Sequence, residues 1–258
     1  FGGDTALIQP QGQASFTVQP KDLSAEGAVS ETITVTAKPS NTAFADISAS
    51  FTAGYTVKIP KITVGGVELG SGTGPVYALT DESGAVTTQG ADQNNWNIRW
   101  DGADYTLTLK GANLSSQEKT AITARESLTL VLEGENLVSG AKGAVYVEGG
   151  LTIQGPGSLK ADVEASGIRA TGQLRIRDAA LEIDAAQPEG ESTILSVAIE
   201  AGGMTEISGS SLTLSSQETT ALEVRGPLTV TDSTLNAQGN YGLAADSLTV
   251  DKASLLEL

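Results

Sequence analysis

Apolar and polar residues alternate at every second position along most of the chain, which is the period of a β-strand and not of a helix. The phrase SSQEKTAI at residues 115–122 returns as SSQETTAL at residues 215–222. Both phrases have the S-x-x-E spacing of a helix capping box, but both are followed by alternating sequence, TARESLTLVL and EVRGPLTVTD. We therefore interpret them as two copies of one repeated unit.

Six segments align on this alternation, and their leading apolar residues are Ile122, Val145, Ile168, Ile199, Leu222 and Leu243. The spacings are 23, 23, 31, 23 and 21 residues, and an eight-residue insertion near residues 185–192 explains the long step. Each repeat holds three short strands and cannot bury its apolar face alone, so the copies must stack. We predict an all-β fold, a right-handed single-stranded parallel β-helix with about 23 residues per coil.

Stacking also predicts contacts outside the core. Coils about 4.8 Å apart place Arg169 beside Glu200 and Arg175 beside Glu206, and opposite charges on neighbouring strands stabilise that register. The corner between the second and third strands carries residues that tolerate a positive φ. These are Gly155, Asp178, Gly209 and Asp232.

The repeat defines the expected domains. We assign residues 71–258 to the β-helix, with residues 95–114 as a degenerate first coil, because TLTLKGANL parallels SLTLVLEGENL. Residues 1–70 form a β-rich N-terminal region, either a small sandwich or a cap over the first coil. The sequence ends at SLLEL inside the last coil, so we expect a second copy of the chain, or further sequence, to cover that coil.

Composition excludes several kinds of site. The chain has no Cys and no His, which rules out a disulfide framework, a thiolate or imidazole metal site and a Ser-His-Asp triad. A net charge of -16 opposes binding to nucleic acid and to anionic membranes. No apolar run is long enough to insert across a bilayer, whereas the acidity is compatible with hard cations such as calcium.

The order of ITVGGVELGSG, WNIRWDGADYTLTLKGANL, AITARESLTLVLEGENLV and GSLKA resembles the secreted carbohydrate-binding parallel β-helix proteins of Gram-positive bacteria, over about residues 60–258. The resemblance implies an extracellular or cell-surface, non-catalytic protein that binds plant cell-wall or other acidic polysaccharide, with calcium on the helix surface. The alternative is a structural adhesin or spacer segment of a bacterial surface protein, with another protein as its partner.

Aromatic and basic residues are the candidates for sugar binding. Trp96 and Trp100 share one strand face, as a platform for sugar rings or as a seal on the first coil. Tyr146 points outward in the column that also holds Arg169. Arg169 either binds a uronate carboxylate with both arms of its guanidinium or pairs with Glu200.

Calcium requires several oxygen ligands close together, and acidic residues gather at the corner after the third strand in two neighbouring coils. The candidates are Asp162, Glu164, Asp184, Glu189 and Glu191. The alternative is a solvated acidic loop. Glycosidases on a β-helix use clustered carboxylates on loops that wall a cleft; here no two Asp are adjacent and the coils are short, so we do not expect an enzyme.

Overall fold

The computed structural model describes residues 27–39, 43, 45–57, 59–70, 74–116, 119–186, 196–217 and 219–258. The chain divides into two compact units, residues 1–59 and 60–258. The division falls earlier than the expected boundary at residue 70, because residues 62–64 pair with residues 122–124 of the β-helix and residues 67–70 pair back on residues 61–64. Every element among the described residues is a β-strand, and none of that part of the chain could cross a membrane as a helix.

The first unit contains an antiparallel hairpin of β1 (Gly27–Ala37) and β2 (Ile47–Val57). Its two sides differ in polarity, because residues on a strand alternate between faces. Ile33 lies opposite Phe51 on the apolar side, while the other side carries paired Ser and Thr hydroxyls. Residues 1–26 of the predicted β-rich region lie outside the described residues.

The second unit is a β-solenoid of about six coils with a spacing of about 23 residues, as the repeat predicts. Ahead of the coils come β3 (Lys61–Val64), β4 (Val67–Gly70), β5 (Val76–Thr80), β6 (Val86–Thr87), β7 (Ile98–Asp101), β8 (Thr106–Lys110) and β9 (Asn113–Ser115). The coils are built from β10 (Thr120–Ala124), β11 (Leu128–Glu133), β12 (Glu135–Val147), β13 (Leu151–Gln154), β14 (Ser158–Ala170), β15 (Leu174–Arg177), β16 (Ala180–Ala185), β17 (Val197–Ala201), β18 (Thr205–Ser208), β19 (Ser211–Ser216), β20 (Thr220–Thr231), β21 (Thr234–Gln238), β22 (Tyr241–Val250) and β23 (Leu255–Glu257).

A hairpin caps the first complete coil. β3 and β4 are antiparallel and meet at Gly65 and Gly66, whose φ values of 55° and 80° suit a tight turn. β3 also pairs antiparallel with β10, so it occupies the strand edge that the first coil would otherwise expose. For this part of the N-terminal region, the structure shows a cap.

The degenerate first coil predicted over residues 95–114 is found only in its second half. β8 and β9 pair in parallel with β11 and β12, as the alignment requires. β7 instead runs antiparallel to β8. The chain reverses between them because the Asp101 carboxylate accepts a hydrogen bond from the Ala103 N–H at 3.3 Å and Tyr105 adopts a φ of 49°.

The register of the coils is confirmed at each step of the alignment. The inward column passes through Ile122, Val145, Ile168, Ile199, Leu222 and Leu243. Arg169 faces Glu200, and Arg175 faces Glu206. The long step between β16 and β17 therefore leaves the columns intact.

The core lies inside the coils, as the alternation predicts. The inward column of the second strand is 0–1% exposed and consists of Leu130, Ile153, Ile176, Ile207 and Val230. Thr152, between two such positions, is only half-buried. Burial of each large aliphatic side chain contributes roughly 1.5–3 kcal/mol, so the stacked columns hold the coils together.

The corner between the second and third strands follows the prediction with one exception. Asp178, Gly209 and Asp232 have φ values of 52°, 59° and 48°. The positive φ expected at Gly155 is not found, and its peptide bond to Pro156 is cis. This corner is longer, since three residues separate β13 from β14 but only two separate β15 from β16.

The last coil leaves apolar side chains uncovered. Leu248 and Val250 are 44% and 38% exposed, although the residues they pair with, Leu228 and Val230, are 1% and 0% exposed. The inward columns thus continue to the surface at β22. Self-association through this coil remains a prediction.

Candidate functional site

The column predicted to contact sugar is part of an ion-pair network. The guanidinium carbon of Arg169 lies 5.9 Å from the ring centre of Tyr146, and Arg169 Nε lies 3.1 Å from Glu200 Oε2. Arg225 Nη2 lies 3.1 Å from the other carboxylate oxygen, Oε1. Glu200 is therefore held by a cation on each side, and the charge of Arg169 is balanced within the protein.

The neighbouring basic residues are paired with a carboxylate as well. Arg175 Nε lies 2.8 Å from Glu206 Oε2, and Arg177 Nη2 lies 3.9 Å from the same oxygen. Both arginines thus share one carboxylate. The ion pairs predicted from the sequence therefore explain why these arginines lie together, and no bound uronate is needed.

The two tryptophans do not form a common platform. Trp100 is 1% exposed and donates its indole N–H to the carbonyl of Pro60 at 3.3 Å, so its ring has no face for a sugar. Trp96 is half-buried ahead of β7, with its ring centre 6.1 Å from that of Tyr77 and 5.4 Å from Lys110 Nζ. Of the two predicted roles, sealing the first coil is the one that the position of Trp100 supports.

The acidic corner is adjacent across coils, as the stacking implies. Asp162 pairs with Asp184, and the Ser215 hydroxyl donates to Asp184. Glu164 is exposed two residues after Asp162 on β14. Glu189 and Glu191 lie outside the described residues. The described part of the chain holds no group of three acidic residues arranged for a metal ion, so calcium remains a prediction.

A groove of about 440 Å³ runs along another corner, the one between the first and second strands of each coil. It spans four successive layers, those of β8, β11, β13 and β15. We call it the corner groove. It is lined by Asp104, Tyr105, Glu126, Ser127, Leu128, Thr129, Gly150, Leu151, Thr152 and Gln173.

Four of the lining residues occupy equivalent positions, one in each layer. Each lies two residues before a member of the registered column Thr106, Thr129, Thr152 and Arg175. These four are Asp104, Ser127, Gly150 and Gln173, and we call them the groove column. The Gly150 N–H donates to the Ser127 hydroxyl oxygen at 3.0 Å, which fixes that oxygen and directs the hydroxyl hydrogen elsewhere.

A second column explains why the corner stays free of side chains. Gly149, Gly172, Gly203 and Gly226 each lie three residues before the registered column, and we call them the glycine ladder. A Cβ on Gly172 would lie 2.9 Å from the carbonyl carbon of Gly149, and one on Gly226 would lie 2.9 Å from that of Gly203. At Gly203 the nearest atom would lie 3.3 Å away, so the approach is tightest at Gly172 and Gly226, and the ladder is a bare strip beside the groove column.

Tyr105 is the aromatic residue of the groove, and the antiparallel turn holds it there. Its ring lies edge-on to Trp100, with centres 6.1 Å apart and planes at 84°. Its main-chain carbonyl accepts a hydrogen bond from the Thr129 N–H at 3.0 Å. The buried Trp100 therefore acts as a wall behind a half-exposed ring.

The chemistry of the lining is that of hydrogen bonding without a positive charge. It combines two exposed carboxylates, Asp104 and Glu126, with the Gln173 amide and several hydroxyls, and it includes no Lys or Arg. Such a set accepts and donates hydrogen bonds to hydroxyl groups, and a tyrosine ring adds an apolar face.

Reasoning from the sequence considered outward strand positions and missed this corner. The glycine ladder nevertheless carried a signal. Its members are spaced by 23, 31 and 23 residues, the same steps as the apolar column. A column of glycines in step with the core marks a corner where coils touch through their backbones.

Comparison with known proteins gives one match. The model of a family described as carbohydrate-binding domain-containing protein matches residues 52–255, which is more than half of the chain. No curated protein matches the chain, and no solved structure does.

Proposed function

The chain belongs to the carbohydrate-binding domain-containing protein family, and on that premise we propose that the corner groove is where it binds carbohydrate. The family supports a carbohydrate-binding role. The observation that carries the location is the lining of the groove, in which hydroxyl, amide and carboxylate groups from four layers surround one aromatic ring.

The groups of the corner groove suit sugar hydroxyls. A carboxylate such as Glu126 accepts two hydrogen bonds from neighbouring hydroxyls, and the Gln173 amide both donates and accepts. Tyr105 offers part of its ring to the C–H face of a sugar, backed by Trp100. Pockets that recognise small molecules combine apolar surface with a few placed polar groups in this way.

The charges favour a neutral polysaccharide over an acidic one. Arg169 pairs with Glu200, Arg175 and Arg177 share Glu206, and the groove itself carries carboxylates only. With a net charge of -16, the protein repels a polyuronate unless cations bridge the two. An acidic plant cell-wall polymer held through calcium is therefore the second candidate, and it would use the acidic corner at Asp162.

We also propose that the module is non-catalytic and acts outside the cell. Asp104 and Glu126 are both exposed, whereas a catalytic acid is typically held in an apolar pocket that keeps it protonated. A chain without cysteine needs no particular redox compartment, so its composition is compatible with a role outside the cell.

Gel retardation in native electrophoresis tests the proposal, with a soluble neutral glucan, a soluble neutral mannan or polygalacturonate in the gel, each with calcium and with EDTA. Tyr105→Ala and Glu126→Gln should lose most of the retardation by a neutral polymer. Tyr146→Ala is the matched control, because it removes a tyrosine side chain from the other candidate surface, the one with the Arg169–Glu200 ion pair. Since Tyr105 packs on Trp100, Glu126→Gln covers the case in which Tyr105→Ala is poorly folded.

The alternatives give different results. Retardation that is lost in Tyr146→Ala and kept in Glu126→Gln would place the site on the ion-pair surface around Arg169. It would overturn the assignment of the site to the corner groove. Calcium-dependent retardation by polygalacturonate alone would identify the acidic polymer as the ligand. If a folded protein is retarded by no polymer, the adhesin or spacer role replaces the binding module.

A further inference from the structure

We propose that the corner groove holds an extended, unbranched sugar chain along the axis of the β-helix, with one sugar unit facing each coil. This inference rests on the proposed function and adds how the ligand lies and how much of it is read. A chain placed across the axis would follow the strands of a single coil. The groove instead draws its lining from four layers.

The repeat of the groove matches the repeat of such a polymer. Neighbouring strands lie about 4.8 Å apart, which is close to the length of one pyranose unit in an extended chain. The groove column places one position opposite each unit, in the order Asp104, Ser127, Gly150 and Gln173. Three units thus face a polar side chain, which is a carboxylate, a hydroxyl or an amide. The unit at Gly150 faces backbone whose N–H and carbonyl already bond Ser127 and Leu128.

The outer rim repeats as well. Thr129 and Thr152 stand in register on neighbouring coils and both line the groove. Their hydroxyls present the same donor and acceptor once per coil. Each unit of a linear hexose polymer carries hydroxyl groups on both edges, so two successive units can each bond one of these threonines even where neighbouring units are turned by half a rotation about the chain.

The length of the polar part sets the footprint. The positions equivalent to Gln173 in the next two coils are Met204 and Pro227, which are apolar. The polar column therefore covers four layers and stops. The glycine ladder continues past it through Gly203 and Gly226, so no side chain of the ladder closes that end. On the side of the ladder, a sugar chain can therefore extend past the coil of Gln173.

Isothermal titration of linear β-1,4-linked gluco- and manno-oligosaccharides, from two to six units, tests this arrangement. For the series that binds, affinity should rise with each added unit up to four and then level off. Asp104→Ala and Gln173→Ala remove contacts at opposite ends of the groove column. Each should weaken binding of the four-unit chain by about three- to tenfold, the effect of one lost hydrogen bond.

The two-unit chain provides the internal control, because it cannot reach both ends. At least one of the two variants should bind it as tightly as the wild type does. Affinity that is already maximal at one or two units, while Glu126→Gln still weakens binding, would refute the axial chain and leave the groove as the site. Retention of a polysaccharide with no binding of the six-unit chain would refute it too. Failure of every polymer and oligosaccharide would instead remove the proposed function.

Discussion

Glu200 pairs with two arginines on the outer surface, and replacing it by glutamine should destabilise the coils. Its two carboxylate oxygens lie 3.1 Å from Arg169 Nε and 3.1 Å from Arg225 Nη2. The side chain of Glu200 is 14% exposed. Glu200→Gln keeps the shape and one acceptor but leaves two guanidinium groups close together without their shared counter-ion.

The size of the effect follows from the exposure of the partners. An opposite-charge pair on neighbouring strands contributes roughly 0.2–1 kcal/mol. Arg169 and Arg225 are 49% and 65% exposed, so solvent screening keeps each pair in the lower part of that range. We expect the free energy of unfolding to fall by about 1 kcal/mol at low ionic strength, and by less in 1 M salt, where the Debye length is about 3 Å.

Equilibrium unfolding in urea, followed by circular dichroism at low salt and at 1 M NaCl, measures this. The matched control is Glu223→Gln. Glu223 pairs in register with Glu200 and reaches Arg225 Nε only at 3.4 Å, so its neutralisation also relieves a repulsion and should change stability little. A Glu200→Gln variant as stable as the wild type at low salt, or a loss that is independent of salt, would show that the network does not act as described.

Three further predictions concern the core, the corner and an exposed turn. Ile153→Asp should abolish folding because it buries an unpaired charge. Thr152→Lys, on the half-buried outward position, should change the unfolding free energy by no more than about 0.5 kcal/mol. If urea unfolding showed the Thr152 variant to be the less stable of the two, the strand faces would be exchanged. Gly202→Ala should lower the thermal midpoint of unfolding more than Gly203→Ala does. A Cβ on Gly202 would collide with a carbonyl oxygen of the preceding coil, whereas a Cβ on Gly203 would lie 3.3 Å from its nearest neighbour. Equal midpoints for the two variants would contradict the close stacking. The pKa of Asp81 is lowered by hydrogen bonds from a neighbouring hydroxyl and from backbone N–H groups, so Asp81→Asn should be less stable than the wild type at pH 7. The difference in stability should vanish as the pH falls through the folded pKa, which lies below the ordinary value of about 3.9. A difference that persists in acid would show that the charge of the Asp81 carboxylate is not its cause.

The sequence was sufficient for the coils because burial enforces the alternation. A shift of one residue would turn Ile122 or Ile199 outward, so the pattern leaves one register, and that register places Arg169 beside Glu200. The turn at Asp101 was different. Apolar and polar residues alternate in the same way in parallel and in antiparallel strands. The alternation around Ile98 therefore could not show that β7 runs antiparallel to β8.

The candidate site was harder to predict because it lies where the strand period is interrupted. Corner residues follow no alternation, and the groove column of Asp104, Ser127 and Gln173 has no common residue type. Only the spacing of the glycines, including Gly172, marked that corner. The large aromatic ring of Trp100 made it a candidate for sugar binding. The apolar area of the same ring instead places Trp100 in the core behind Tyr105.

The antiparallel pieces at one end of the second unit bear on how the chain folds. A hairpin such as β3–β4 or β7–β8 closes a short loop, whereas each parallel contact in the coils joins residues about 23 positions apart and costs more loop-closure entropy. We expect the hairpins to form first and to supply the edge on which β10 and β11 assemble. Each finished coil then templates the next, so that amide protection in pulse-labelled refolding should appear at β11 before β22; simultaneous or reversed protection would exclude this order. Folding would then proceed in one direction along the solenoid, the same direction in which the chain is synthesised.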